Sequence, residues 1–156
     1  MSIPFTLNGK SVTYEGSATD RLVDMLRNDF ACPGVKIGCN EGECGACSII
    51  LDGALVNACM VAAGRAYGTE IVTIEGYRET ARFAILDRCF AETGAVQCGF
   101  CTPGMILAAE CMLRKNPSPT EGEIREGLSG NMCRCTGYNA IVNAVARAAK
   151  EGEGLW

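Results

Sequence analysis

Histidine is absent from the 156 residues. That excludes Rieske ligation and every zinc site that uses imidazole, and it removes the side chain most used for acid–base work near neutral pH. A positive excess is missing too: 14 Lys and Arg stand against 18 Asp and Glu, a formal net charge of −4. With no basic stripe to neutralise phosphates, nucleic acid is excluded as the main partner. No apolar run approaches the roughly 20 residues that a membrane span needs. Met1-Ser-Ile-Pro-Phe5 has no basic region ahead of an apolar core, and there is no twin-arginine pair, so the cytoplasm is the expected compartment. No G-x-G-x-x-G fingerprint follows a strand, so flavin or nicotinamide binding within this chain is not expected. No acid, base and nucleophile constellation stands out, and no catalytic residue is assigned. Asp24, Glu75 and Glu110 read as surface carboxylates, and tryptophan occurs once, at Trp156.

Cysteine, by contrast, is abundant, with eleven copies. The number is odd, no export signal is seen, and the cysteines cluster, so metal binding in a reducing compartment is a better reading than disulfides. Cys39-Asn-Glu-Gly-Glu-Cys44-Gly-Ala-Cys47, with Cys59 beyond, has C-x4-C-x2-C spacing plus a distant fourth thiol, the plant-type arrangement for a 2Fe–2S cluster. Three thiolates from one tight loop require the backbone to curl, and Gly38, Gly42 and Gly45 provide the freedom and the space for it.

Two hairpins are legible. Asn8-Gly9 lies between Ile3–Leu7 and Lys10–Tyr14, and Asp52-Gly53 between Ser48–Leu51 and 54–56; such pairs suit type I′ turns, which need φ > 0 at both central residues. The second hairpin delivers Cys59. Between the hairpins a helix is expected, capped by Ser17 or Thr19, with Leu22, Met25 and Leu26 on one face and Cys32-Pro33-Gly34 ending it. Residues 70–74 read as a fifth strand. Strands with one helix packed across them, over residues 1–76, form a small α+β unit that resembles the β-grasp of plant-type ferredoxins.

From Tyr77 the apolar period changes from two to about 3.6 residues. Helices are expected over 82–93, from Thr102-Pro103 to Asn116, from a capping box at Thr120 and Glu123, and over 139–150. The fold class is therefore α+β, a β-grasp unit followed by an all-α four-helix bundle over 77–156. The bundle carries Cys98-Gly-Phe-Cys101 at the start of one helix and Cys133-Arg-Cys135 ahead of the last. A zinc site of four cysteines uses C-x-C less comfortably, and a redox dithiol at Cys98 and Cys101 would need a βαβ context. The residues alone point to a metal site and leave iron–sulfur and zinc both open. Cys32, Cys89 and Cys111 read as buried apolar-like thiols.

Residues 96–104, Val-Gln-Cys-Gly-Phe-Cys-Thr-Pro-Gly, and 131–138, Asn-Met-Cys-Arg-Cys-Thr-Gly-Tyr, resemble signatures of the xanthine dehydrogenase family of molybdenum hydroxylases. The loop Gly38 to Cys47 resembles that family's ferredoxin-like loop. The likeness runs along nearly the whole chain and matches the separate small iron–sulfur subunit. It implies two 2Fe–2S clusters: an outer one on Cys39, Cys44, Cys47 and Cys59, facing a flavin subunit, and an inner one on Cys98, Cys101, Cys133 and Cys135, next to the molybdopterin. It also implies that Gln97 and Cys135 approach the pterin by hydrogen bonds. The implied partners are a molybdopterin-binding large subunit and an FAD-binding medium subunit, assembled as a dimer of heterotrimers. Electrons would pass singly from molybdenum through both clusters to FAD or another acceptor. The alternatives are a free-standing two-cluster ferredoxin and a zinc-stabilised scaffold. Glu41 and Glu43 would lower the outer potential or be solvated loop carboxylates, and Arg134 would offset cluster charge or pack. Residues 151–156 read as a loose tail or a partner contact, with Trp156 favouring docking.

Overall fold

The structure, a computed structural model, describes residues 2–156. Strands β1 (Ile3–Leu7) and β2 (Lys10–Tyr14) form the first hairpin, with Ile3 opposite Tyr14. Its corner has Asn8 at φ 51° and Gly9 at φ 78°, the left-handed pair of a type I′ turn. β3 (Ser48–Leu51) and β4 (Ala54–Asn57) repeat the design around Asp52 at φ 47° and Gly53 at φ 81°. β5 (Glu70–Val72) runs parallel to β1 and antiparallel to β3, giving one five-stranded mixed sheet in the order β2-β1-β5-β3-β4.

Helix α1 (Leu22–Asn28) lies across this sheet. Leu22, Val23, Met25 and Leu26 are buried against Ile3, Phe5, Leu7, Ile49 and Ile71. Neither Ser17 nor Thr19 caps it: the N-cap is Arg21, with no side-chain bond. Ser17 and Thr19 share a hydroxyl hydrogen bond at 2.8 Å, and Asp20 holds the turn by accepting from Ser17 N–H at 2.9 Å and the Tyr14 hydroxyl at 2.5 Å. The helix also stops earlier than expected, at Asn28, and the chain turns through Ala31 at φ 52° before Cys32.

The expected fifth strand is cut to three residues because Ile74 already starts a short helix, α2 (Ile74–Tyr77). Four longer helices follow: α3 (Ala81–Glu92), α4 (Thr102–Lys115), α5 (Glu121–Gly127) and α6 (Asn139–Glu151). Thr80 caps α3, and Thr120 with Glu123 forms the capping box of α5. Thr102 is not a cap, because α4 begins one residue earlier than the sequence suggests, with Cys101 in the N-cap position.

The helical core is built on Leu86, Phe90, Met105, Leu107, Leu113, Ile141 and Val145. It takes in Ile50 from β3, and Leu55, Val72 and Ile74 pack on it. The sheet thus has α1 on one face and the helices on the other. Cys32, Cys89 and Cys111 are buried in these cores, as expected.

Two expectations fail in the bundle. Glu110 is not a surface carboxylate: it is 1% exposed, accepting from the Tyr77 hydroxyl at 2.6 Å and the Trp156 indole N–H at 2.7 Å, with the Arg82 guanidinium at 3.1 Å. Burial first, and the bond to Glu110 second, push the Tyr77 hydroxyl's pKa well up. The last residues are not a loose tail either, because Trp156 is half-buried against the chain's own helices. Glu75 is likewise engaged, accepting from Gly34 N–H and the Thr73 hydroxyl at 2.6 Å each, and Asp24 pairs with Arg21.

Candidate metal centres

The loop 38–47 is wound around one sulfur. Cys39 Sγ accepts backbone N–H bonds from Glu41 at 3.4 Å, Glu43 at 3.3 Å and Cys44 at 3.4 Å. Donors aimed at a thiolate favour its charged form, and these, led by Glu41 and Cys44, hold the Cys39 pKa at about 7. The winding needs left-handed backbone at Gly42 (φ 80°) and Gly45 (φ 67°). Gly38 matters for space instead: a Cβ there would sit 2.7 Å from Cys44 Sγ.

Hairpin register places the remaining thiols. Cys47 immediately precedes β3, and Cys59 lies in the 3-10 turn Ala58–Met60 that follows β4. Ser48 pairs with Asn57, and Ala58 N–H reaches Cys47 O at 3.2 Å, so Cys59 comes to Cys47 as the ladder closes. Burial pushes the Cys47 thiol up to about 11, in contact with Cys59. Asn57 Nδ2 donates to Gly42 O at 2.8 Å and ties the loop to the hairpin.

The second quartet is assembled from two helix entrances. Cys101 is the N-cap of α4, and Cys133 and Cys135 lie just before α6, whose N-cap Tyr138 is itself left-handed at φ 70°. Cys98 and Cys135 are exposed, with their sulfurs 3.6 Å apart. Cys101 and Cys133 are hydrogen-bonded deeper in the structure. Burial, then that bond, raises Cys101 to about 12. Burial also acts to raise Cys133, yet the Thr136 hydroxyl at 3.1 Å and the backbone N–H groups of Cys135 and Thr136 leave its pKa lowered overall. The bond to Cys98 raises Cys135.

Within each quartet the sulfurs are neighbours: Cys39 lies beside Cys44, and Cys47 beside Cys59 and Cys44; Cys98 lies 3.6 Å from Cys135, and Cys101 beside Cys133 and Cys98. Among the described residues no three Cys, Asp or Glu side chains gather to hold one ion. A tetrahedral zinc site would draw all four sulfurs to one point. A 2Fe–2S group takes two thiolates on each of two irons, and four cysteines at each site supply that number. The donors are all cysteine sulfurs, and those of Cys39 and Cys133 already receive N–H and O–H bonds.

Gln97 is exposed beside Cys98, so it shares a surface edge with Cys135. Glu41, Glu43 and Arg134 are exposed. Large apolar side chains crowd the two sites: Val96, Phe100 and Met132 flank the second quartet, and Met60, 64% exposed, lies over Gly42 at the first. Sequence reading missed Asn131 and Tyr138 as residues that shape the second site. Asn131 is 4% exposed and bonds to Gly45 O and Ser48 Oγ, and the Tyr138 hydroxyl accepts from Cys133 N–H at 2.8 Å. No local signal could have shown the Asn131 contacts, because its partners lie more than eighty residues away.

Two family descriptions match the chain: a 2Fe-2S iron-sulfur cluster binding domain over residues 5–67 and a 2Fe-2S binding domain over residues 73–146. The nicotinate dehydrogenase small FeS subunit of Eubacterium barkeri is 49% identical over 150 residues, covering 96% of each chain. The xanthine dehydrogenase iron-sulfur-binding subunit of Escherichia coli O157:H7 is 43% identical over 152 residues, covering 96% of this chain and 95% of the relative. Among solved structures, quinoline 2-oxidoreductase from Pseudomonas putida 86 superimposes with a TM-score of 0.92 at 41% identity, covering 97% of this chain and 94% of its counterpart.

Proposed function

Since the chain belongs to the small iron–sulfur subunits of the xanthine dehydrogenase family of molybdenum hydroxylases, we propose that its two cysteine quartets are the ligand sets of its two 2Fe–2S clusters. Cys39, Cys44, Cys47 and Cys59 hold the outer cluster, and Cys98, Cys101, Cys133 and Cys135 the inner one. The observation that carries this reading is the convergence of four cysteines at each of two places: the loop wound around Cys39 Sγ and closed by the hairpin that brings Cys59 to Cys47, and the two helix entrances that set the Cys98 and Cys135 sulfurs 3.6 Å apart. When bound, each cluster accepts and releases one electron at a time.

The chain's residues bind, shield and tune. Cys47, Cys59 and the deeper pair Cys101 and Cys133 fix each group on its buried side, while Cys39 and the exposed pair Cys98 and Cys135 face outward. Backbone N–H groups at Cys39 and the Thr136 hydroxyl at Cys133 stabilise negative charge on sulfur, the lever that raises a cluster's potential. Substrate chemistry belongs to a cofactor in a partner subunit, and this chain supplies position and potential.

The exposed edge formed by Gln97, Cys98 and Cys135, with Val96, Phe100 and Met132 around it, is the docking face for the molybdopterin-binding subunit, where Gln97 and Cys135 reach the pterin by hydrogen bonds. The Met60 face receives an FAD-binding subunit, and the whole assembles as a dimer of heterotrimers. Such exposed apolar groups suit a subunit better than a freely diffusing ferredoxin. Residues 1–76 and 77–156 are the two cluster units. No helix among the described residues is long and apolar enough to cross a membrane, and the reading places the protein in the cytoplasm, where eleven unbridged cysteines stay reduced.

EPR of the reduced native complex tests the assignment. Cys44→Ser and Cys98→Ser should each erase a different one of two 2Fe–2S signals and leave the other. Two variants that both keep both signals would sink it. A native protein that sediments as a monomer without molybdenum would sink the docking reading.

A further inference from the structure

Asn57 is the last residue of β4, and its Nδ2 donates to the carbonyl of Gly42 at 2.8 Å. That carbonyl belongs to the peptide joining Gly42 to Glu43, and the N–H of the same peptide donates to Cys39 Sγ at 3.3 Å. A trans peptide is planar, with its C=O and N–H pointing in opposite directions. Holding the oxygen therefore aims the hydrogen. Asn57, the Gly42 carbonyl, the Glu43 N–H and Cys39 Sγ form one line of hydrogen bonds that ends on sulfur.

Gly42 makes this peptide easy to turn. It has φ 80° and no side chain, so rotation of the unit that follows it meets little steric resistance. A turned peptide would present oxygen to the sulfur in place of hydrogen. Met60 bounds the same residue, since a Cβ on Gly42 would lie 2.9 Å from Met60 Cγ. Asn57 is itself fixed by the ladder, opposite Ser48 and two residues before Cys59. The strand that delivers the fourth thiol thus also delivers the amide that orients a donor to the first.

A staple between hairpin and loop would explain a half-buried amide with a partner. It does not require that the carbonyl taken be the one whose own peptide donates to a ligand sulfur. We propose that Asn57 is a positioning residue for the outer cluster: by fixing and polarising the peptide between Gly42 and Glu43, it strengthens the N–H bond to Cys39 Sγ and raises the potential at which the group on Cys39, Cys44, Cys47 and Cys59 takes up its electron. Hydrogen bonds in a chain polarise one another, so a peptide whose carbonyl accepts a bond becomes a better donor at its nitrogen. A donor aimed at sulfur favours the reduced, more negative form of the group. Asn57 transfers no proton and no atom. This role rests on the ligand assignment proposed above.

The test is an EPR-monitored redox titration of the assembled holoenzyme with Asn57→Leu and Asn57→Ala, the signal erased by Cys44→Ser being the outer one. Leucine keeps the approximate size of the side chain and removes the donor. The outer midpoint should fall by roughly 30–60 mV, about threefold to tenfold in a one-electron equilibrium at about 59 mV per tenfold. The inner midpoint should stay where it is, and both signals should keep full intensity. Electron–nuclear double resonance of samples in H2O and D2O should show one exchangeable proton more weakly coupled to the reduced outer cluster, a change that a mere staple would not produce. An unmoved outer midpoint in whichever variant keeps the outer signal would overturn the role. Loss of that signal in both variants would overturn it too, because Asn57 would then serve cluster retention. Fewer than two 2Fe–2S signals in the unmodified enzyme would instead sink the ligand assignment.

Discussion

Glu110 sits in an apolar core with three donors around it: Tyr77, Trp156 and Arg82. Each donor comes from a different part of the chain, so one carboxylate joins α2, α3, α4 and the last residue. Truncating one partner of a buried charged network strands the others without water. Glu110→Ala is expected to cost about 3–5 kcal/mol of stability. Glu110→Gln should cost less, because its amide oxygen still accepts from one donor. Urea unfolding of the cluster-loaded chain, followed by circular dichroism, measures both; equal costs would show that charge, not hydrogen bonding, dominates there. In the sequence Glu110 is one carboxylate on the polar margin of a helix, and nothing local separates it from Glu92 or Glu121. Its donors lie 33, 28 and 46 residues away along the chain, which is why a surface position was the natural expectation.

Elements were legible where their cause is local. Asn8-Gly9 and Asp52-Gly53 each need two left-handed residues in a row, and few other dipeptides accept that. Thr120 and Glu123 cap each other within one turn, with the Glu123 carboxylate 2.7 Å from Thr120 N–H, so the start of α5 was readable too. The start of α1 was not, because Asp20 draws Ser17 into a separate turn and leaves Arg21 at the N-cap. Cysteine spacing exposed both quartets, but not how their sulfurs come together, which depends on hairpin register and on how α4 and α6 meet. Two glycines in these helices separate packing from propensity. Gly122 in α5 has nothing within 4 Å of an added Cβ, so Gly122→Ala should stabilise by about 0.5 kcal/mol through helix propensity. Gly104 in α4 faces Gly45 O, so Gly104→Ala should destabilise by about 1–3 kcal/mol, since a backbone carbonyl must shift. Thermal melts of the two variants, side by side, should move in opposite directions.

At the scale of the molecule, the halves that the sequence distinguishes by period share their interior. Ile50 of β3 lies inside the helical core, and Met132 donates to Cys44 across the junction. Cooperative unfolding follows when one unit cannot open without exposing the other. The cluster-loaded chain should melt in one transition, and Cys98→Ser should lower that single transition and not split it. Differential scanning calorimetry decides this, and two resolved peaks would show that the halves unfold independently. The shift of hydrophobic period near Tyr77 marks where the architecture changes but carries no trace of this shared interior, since a strand face turned toward helices reads like any other buried strand.

Sharing an interior limits how this polypeptide can be divided. A fragment severed after residue 76 would turn Ile50, Leu55, Val72 and Ile74 from lining into wet surface, a sticky sheet beside a cysteine-rich loop. Such a piece invites clumping and stray oxidation, whatever the quality of its ferredoxin-like half. A designer who wants to borrow that half for another redox chain would first have to repaint this face with polar side chains.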